Sequence, residues 1–153
     1  MSAGPFFFSH FVLDPRQIFV YTPLCLGFVN IRPAVLGHVL LTPKRVTPRF
    51  RDMTSDELTD FIHASHKIAR ALEILYSVSS LTMTIQDGPE AGQTVSHVHM
   101  HLLPRRHGDF KHNDQVYDAI DKSTLPSPPA ARTIDEMAVE ADRLRELLEH
   151  LEH

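Results

Sequence analysis

Ser96-His97-Val98-His99-Met100-His101-Leu102-Leu103 places three imidazoles at every second position of an otherwise apolar run. Successive side chains of an extended chain point to opposite sides, so His97, His99 and His101 share one face while Val98, Met100 and Leu102 share the other. The spacing predicts a strand from His97 to Pro104 with its apolar face in a core and its histidine face lining a cleft. A second strand is expected just upstream, where Leu81-Thr82-Met83-Thr84-Ile85-Gln86 alternates strictly, with Leu81, Met83 and Ile85 inward and Thr82, Thr84 and Gln86 opposite. The loop from Asp87 to Thr94, with Gly88 and Gly92, joins the two into a hairpin with a long connection.

Upstream of that hairpin, four short strands are predicted: Phe6 to Leu13, Gln17 to Tyr21, Cys25 to Asn30 and His38 to Thr42. They are separated by Pro15, Pro23 and Pro33 and closed by Pro43. Thr54-Ser55-Asp56-Glu57 has the form of a helix capping box. Leu58, Phe61, Ile62, Ser65, Ile68, Ala69, Leu72 and Leu75 then recur at helical spacing, predicting a long helix that ends near Tyr76. Arg105 to Asn113 is polar, and Leu125-Pro126-Ser127-Pro128-Pro129 reads as a surface loop. Thr133-Ile134-Asp135-Glu136 opens a last helix that carries Met137, Leu144, Leu147 and Leu148 toward a partner surface. The class is α+β.

The 153 residues suit one domain, read here as 1–150, with a core over about 10–120 and a helical extension over about 133–150. Leu151-Glu152-His153 reads as a possible tag remnant. One cysteine, Cys25, excludes an internal disulfide framework and a multi-cysteine zinc site, pointing to a reducing compartment, cytoplasm or nucleus. With 15 basic and 19 acidic side chains the formal net charge is -4, so no global signature of nucleic-acid binding is present. No apolar run approaches the roughly 20 residues needed to cross a bilayer, and no membrane partner is expected.

Two chemistries suit three alternating imidazoles. Side chains two apart on a strand lie roughly 6–7 Å from each other, close enough to converge on one zinc ion, with Asp87 and Asp109 as candidate orienting carboxylates. Alternatively, a neutral imidazole is a competent nucleophile toward phosphorus, provided one ring nitrogen donates to an acceptor and the other presents its lone pair. Donors for phosphate oxygens are at hand in Gly88, Gly92, the amides of Gln93, Thr94 and Val95, and the side chains of Gln86 and Gln93.

His97-Val98-His99-Met100-His101-Leu102-Leu103 resembles the signature of the histidine triad superfamily of nucleotide hydrolases and transferases. Gln86-Asp87-Gly88-Pro89-Glu90-Ala91-Gly92-Gln93-Thr94-Val95 is similar to the loop of its fragile histidine triad branch, the diadenosine triphosphate hydrolases. Asn30, Arg32-Pro33, Gly37-His38-Val39-Leu40 and Gly108-Asp109-Phe110 extend the likeness over roughly residues 10 to 120. The resemblance implies a histidine-triad fold: an antiparallel meander, one long helix, a C-terminal helix and a homodimer that extends the sheet.

It also implies residue roles. His99 would attack the α-phosphorus of diadenosine triphosphate, expel ADP and become nucleotidylated, and water would then release AMP. His97 would hold the nucleophile, with a backbone carbonyl setting the tautomer of His99, and His101 would donate to a phosphate oxygen. Gln86 would contact the phosphate chain and guide leaving group and water. Gly92, Gln93, Thr94 and Val95 would form the phosphate loop, Asn30 would meet the ribose, and His38 would support the pocket. Tyr117 would lie near substrate, and Phe8, Phe11, Leu26 and Phe28 are candidates to stack on the base. Mg²⁺ or Mn²⁺ would arrive on the substrate phosphates, with no tightly held protein metal. A nucleoside phosphoramidase, or a binding module whose output is the nucleotide complex, are the alternatives.

Overall fold

In the computed structural model, which describes residues 4–123 and 131–151, the histidine strand lies inside a five-stranded sheet. Its strands are β3 (Ile18–Tyr21), β4 (Cys25–Val29), β5 (Val39–Pro43), β6 (Ser80–Ile85) and β7 (Met100–Arg105), in the order β3-β4-β5-β7-β6. Every neighbouring pair is antiparallel. Before the sheet come β1 (Phe6–Phe8) and β2 (Phe11–Leu13), which pair only with each other. One continuous strand was expected over Phe6 to Leu13. The chain instead reverses at Ser9, whose φ of 55° lies in the left-handed region.

Alternation sorts the sheet residues into two faces. Cys25 and Val29 of β4, Val39 and Leu41 of β5, and Val98, Met100 and Leu102 pack with α1 (Ser55–Tyr76) and α3 (Ile134–Leu151) in the main core. Leu26, Phe28 and Leu40 face the other way, against Leu13, Phe6 and Phe8 of the N-terminal hairpin. Further along the same outer face, Leu103 packs with Val116 and Ile120 of α2 (Gln115–Ser123). The hairpin covers one part of this face and α2 another, with the imidazoles on β7 and just before it.

Local chemistry explains the helices. Thr54 accepts the Glu57 amide at 3.1 Å while Glu57 accepts the Thr54 amide at 2.9 Å, a reciprocal capping box that satisfies two of the otherwise unpaired amides at the start of α1. Phe61, Ile68 and Leu72 are fully buried. The helix ends at Tyr76, followed by Ser77 in left-handed conformation. At Gly27 a Cβ would meet Val20 at 2.5 Å and Ile68 at 3.3 Å, so glycine lets α1 lie close to the sheet. Met137, Leu144 and Leu148 of α3 are buried as expected, and Leu151 is the last residue of that helix, packed against the core.

Three expectations change. Strand β7 begins at Met100 rather than His97, because the Val98 backbone is bonded outside the strand ladder: its amide donates to Thr47 O at 2.7 Å, and the Thr42 side chain of β5 donates through Oγ1 to Val98 O at 2.6 Å. Met83 is 42% exposed, since β6 is an edge strand with no neighbour to cover that side, and Ile62 of α1 is 53% exposed, on the side of the helix away from the core. Helix α2 had no expectation attached, its apolar residues Val116, Ala119 and Ile120 being too few for a periodicity signal. The Leu125 to Pro129 loop and residues 152–153 lie outside the described residues. No helix among the described residues is long and apolar enough to cross a membrane.

Candidate active site

Four histidines form the site, and their backbone partners assign the protons. His38 enters after Gly37, where φ of +90° and atoms of Pro104 and Tyr76 2.7 Å from any Cβ require glycine. The Ala34 amide donates to His38 Nδ1 at 2.9 Å, so that nitrogen is bare and the proton of the neutral ring sits on Nε2. His38 Nε2 lies 2.9 Å from His101 Nδ1, which must therefore accept, leaving the His101 proton on Nε2. Independently, His99 Nδ1 lies 2.7 Å from the carbonyl of His97, and a carbonyl can only accept. The His99 proton is thus on Nδ1, and its Nε2 carries a lone pair. His97 has both nitrogens occupied: Ser9 N donates to Nδ1 at 2.8 Å, and Nε2 donates to Pro43 O at 2.7 Å.

The neutral forms follow from burial. His38 is pushed down to about 3, first by burial and then by electrostatic repulsion between its charged form and His99 and Arg132. Burial is also the first cause holding His99 and His97 below the usual imidazole value, and it drives His101 well below it. His99 and His101 stand with ring centres 4.9 Å apart and near perpendicular, at 71°. Phe8 and His99 pack as a perpendicular pair with ring centres 4.9 Å apart, so the hairpin restrains the ring presenting the lone pair.

Both rings line a cleft of about 400 Å³. Its apolar wall includes Phe8, Leu13, Phe28 and Leu40, a surface of the kind on which a flat aromatic group packs. Leu26, a candidate for that wall, is almost fully buried and is not in the lining, while Leu13 and Leu40, not singled out in the sequence, are. Only the separate pairing of β1 and β2 brings Leu13 there. Asn30 and Val95 line the cleft too. Asn30 Oδ1 accepts the Arg32 amide at 2.8 Å, and its Nδ2 lies 3.4 Å from His38 Nε2. That nitrogen already carries a proton, so the Asn30 amide hydrogens remain available to a ligand.

The profile of the HIT domain matches residues 13–108, spanning Asn30, His38 and all three histidines of the triad. The chain belongs to the HIT family. Within it, the chain is 46% identical over 150 residues to the Arabidopsis thaliana protein named bifunctional bis(5'-adenosyl)-triphosphatase/adenylylsulfatase FHIT, covering 93% of this chain and 83% of that one. It is 40% identical to the bis(5'-adenosyl)-triphosphatase of Dictyostelium discoideum, over 94% of this chain and 93% of the other. A crystal structure of Plasmodium falciparum diadenosine triphosphate hydrolase in complex with cyclomarin A superposes with a TM-score of 0.81 at 27% identity, covering 98% of this chain and 88% of that one.

The HIT loop is arranged differently from the open cradle read in the sequence. Gln93 is spent inside it, accepting the Gly88 amide at 2.7 Å and donating to Pro48 O and Val95 O at 2.8 and 3.0 Å. The amides of Gly92 and Gln93 donate to Pro89 O and Gly88 O. Thr94 is exposed. Gln86 donates to Asp121 of α2 at 3.1 Å and, with Gly92 and Tyr117, borders a separate shallow depression. The two carboxylates considered for a zinc site are engaged elsewhere: Asp87 by Arg49 at 3.1 Å, and Asp109 by Arg105 at 2.8 Å. With His97 bonded at both nitrogens, the three imidazoles of the HIT motif do not converge on a common point. Among the described residues no group of three or more His, Cys, Asp or Glu side chains is placed to hold a metal ion.

Proposed function

We propose that this HIT-domain chain hydrolyses dinucleoside polyphosphates, cleaving diadenosine triphosphate to AMP and ADP through a nucleotidyl group on His99. One observation carries the reading: two adjacent imidazoles line a single cleft in opposite protonation states at Nε2, His99 bare and His101 protonated. The names of the Arabidopsis, Dictyostelium and Plasmodium proteins agree with it.

In the first step the His99 Nε2 lone pair forms a bond to the α-phosphorus, and the bond from phosphorus to the bridging oxygen breaks. ADP departs with the electron pair. The attacking ring becomes cationic, and its Nδ1–H then donates more strongly to the His97 carbonyl, which stabilises the intermediate. The His101 Nε2–H donates to phosphate oxygen as charge develops. In the second step water attacks the same phosphorus, the N–P bond breaks, and AMP leaves. His97 acts through backbone, its ring tying the Pro43 and Ser9 segments together behind the nucleophile. Gln86, and Thr94 and Val95 through their amides, would meet the phosphate chain once Gln86 turns from Asp121. Mg²⁺ or Mn²⁺ comes to the site on the substrate's own phosphates.

Adenylyl sulfate offers the same α-phosphorus with sulfate as leaving group, and the name of the Arabidopsis relative makes it the second substrate to assay. A phosphoramidate substrate would use the same lone pair with an amine as leaving group. Brief mixing with diadenosine triphosphate followed by mass spectrometry is expected to find an adenylyl adduct on His99. Turnover with no adduct, or with an adduct on another residue, contradicts the covalent route.

The chain acts as a homodimer that continues the sheet across the edge strand β6. Support comes from the unpaired edge, the exposed Met83, and Ile62 and Ile74 of α1, each 53% exposed. Light scattering is expected to give twice the 17.4 kDa chain mass, and a monomer mass contradicts it. Cytoplasm or nucleus suits its free buried thiol, Cys25.

A further inference from the structure

Among the described residues, two buried side-chain nitrogens lack a hydrogen-bond partner, His101 Nε2 and Arg32 Nε. Both residues line the same cleft. An unpaired buried donor destabilises the fold that holds it, and such groups in a folded protein call for a function or a missing acceptor. His101 has a place in the chemistry. Arg32 has none so far, and it brings a positive charge to a cleft whose other recognised donors are neutral.

Its location narrows the acceptor. Arg32 sits two residues after Asn30 in the turn between β4 and β5, and its own amide closes that turn on Asn30 Oδ1. The turn is held rigidly from behind. Arg132 donates through Nε and Nη2 to Asn30 O, at 3.1 and 2.5 Å, and its amide donates to Ile31 O at 2.9 Å. Glu140 of α3 pairs with Arg132 at 2.9 Å and also accepts from the Tyr76 hydroxyl, tying the turn to both large helices. A side chain on so fixed a mount loses little freedom when it meets a ligand. The apolar wall of Phe8, Leu13, Phe28 and Leu40 takes the base, and His99 the phosphorus. Arg32, beside Asn30, belongs with the sugar that links them. Arg32 is half-buried and lines the cleft while its Nε is buried without a partner, so a hydroxyl bound there would offer the guanidinium an acceptor.

We propose that Arg32 is a specificity-determining residue, donating from its guanidinium to a ribose hydroxyl of the nucleotide bound in this cleft. The inference rests on the cleft being a nucleotide site, and it is tested by binding as well as turnover. Titration calorimetry compares AMP with 2'-deoxy-AMP and 3'-deoxy-AMP on the full chain and on Arg32→Met and Arg32→Lys. Methionine keeps the stem without the donors, and lysine keeps the charge without the fork. Both variants are expected to weaken AMP binding about tenfold, while for the analogue missing the contacted hydroxyl the variants and the unchanged protein bind alike. A loss of equal size on all three ligands would place the guanidinium on phosphate or base and overturn the proposal, as would no loss on AMP. If the unchanged protein binds AMP but does not cleave diadenosine triphosphate, the hydrolase reading fails while the Arg32 comparison stands.

Discussion

Replacing His99 by asparagine is expected to lower the turnover of diadenosine triphosphate by at least ~10⁴-fold while leaving nucleotide affinity within about threefold. The asparagine side chain can still donate toward the His97 carbonyl and fill much of the space between Phe8 and His101. It offers no lone pair able to form a bond to phosphorus. In the proposed complex the base, ribose and phosphate contacts fall to other residues, so ground-state binding is expected to survive. Measuring kcat by product chromatography and affinity by calorimetry on the same preparation separates the two quantities. Near-normal turnover would remove the covalent mechanism. A variant that binds and does not cleave is also the reagent for asking whether the nucleotide complex has an output of its own.

Acid is expected to unfold this protein through its imidazoles before its carboxylates. His38 titrates near 6.5 in the unfolded chain and at about 3 when folded, with His97, His99 and His101 lowered in the same sense. The unfolded state therefore binds more protons below about pH 6.5, and stability is full above that value and falls as pH drops toward the folded-state values. His38 alone costs about 2–3 kcal/mol by pH 4.5, from the roughly 1.4 kcal/mol carried by each unit between 6.5 and the working pH. Asp109, held at about 2 by Arg105, loses its contribution only as pH falls below about 4, and Glu57, lowered by its bond to Arg45, begins to lose its own only near 4.5, so the slope between 6.5 and 4.5 is carried mainly by the histidines. Urea unfolding at pH 7.5, 5.5 and 4.5 measures the slope, and a flat stability across that range would show that the rings take up protons while folded. The acid limb of kcat/KM moves in step. An unperturbed imidazole predicts activity fading below about 6.5, and the burial of His99 shifts that limb to lower pH.

Much of the fold was legible because its signals are local. The capping box at Thr54 and the periodic Phe61, Ile68 and Leu72 mark α1 from start to end, and alternation alone separates Val98, Met100 and Leu102 from the imidazoles. The N-terminal hairpin was not legible as two strands, since only the left-handed turn at Ser9 divides a continuous apolar run. Met83 alternates like a core residue yet is exposed, because a strand's place at the edge of a sheet is decided by which other strands it pairs with. The loop was misread for a related reason: Gln93 has the right chemistry to meet a phosphate, and nothing in its neighbours in sequence shows that Pro48, 45 residues away, takes its amide.

By itself, then, the sequence determined the α+β class, the two large helices, the shared face of the three imidazoles and the likeness to one family of nucleotide enzymes. These depend on periodicity and residue type, which are properties of neighbours along the chain. Tertiary structure decided which nitrogen of each ring holds its proton, which apolar side chains wall the cleft, and that the Arg32 guanidinium lines it with a buried, unpaired nitrogen. A tautomer is set by the partner that faces the ring, and for His38, His97 and His101 that partner lies in another segment or across a turn. Charge and hydrogen bonding act through space, so the chemistry of this site exists only once the chain has closed around it.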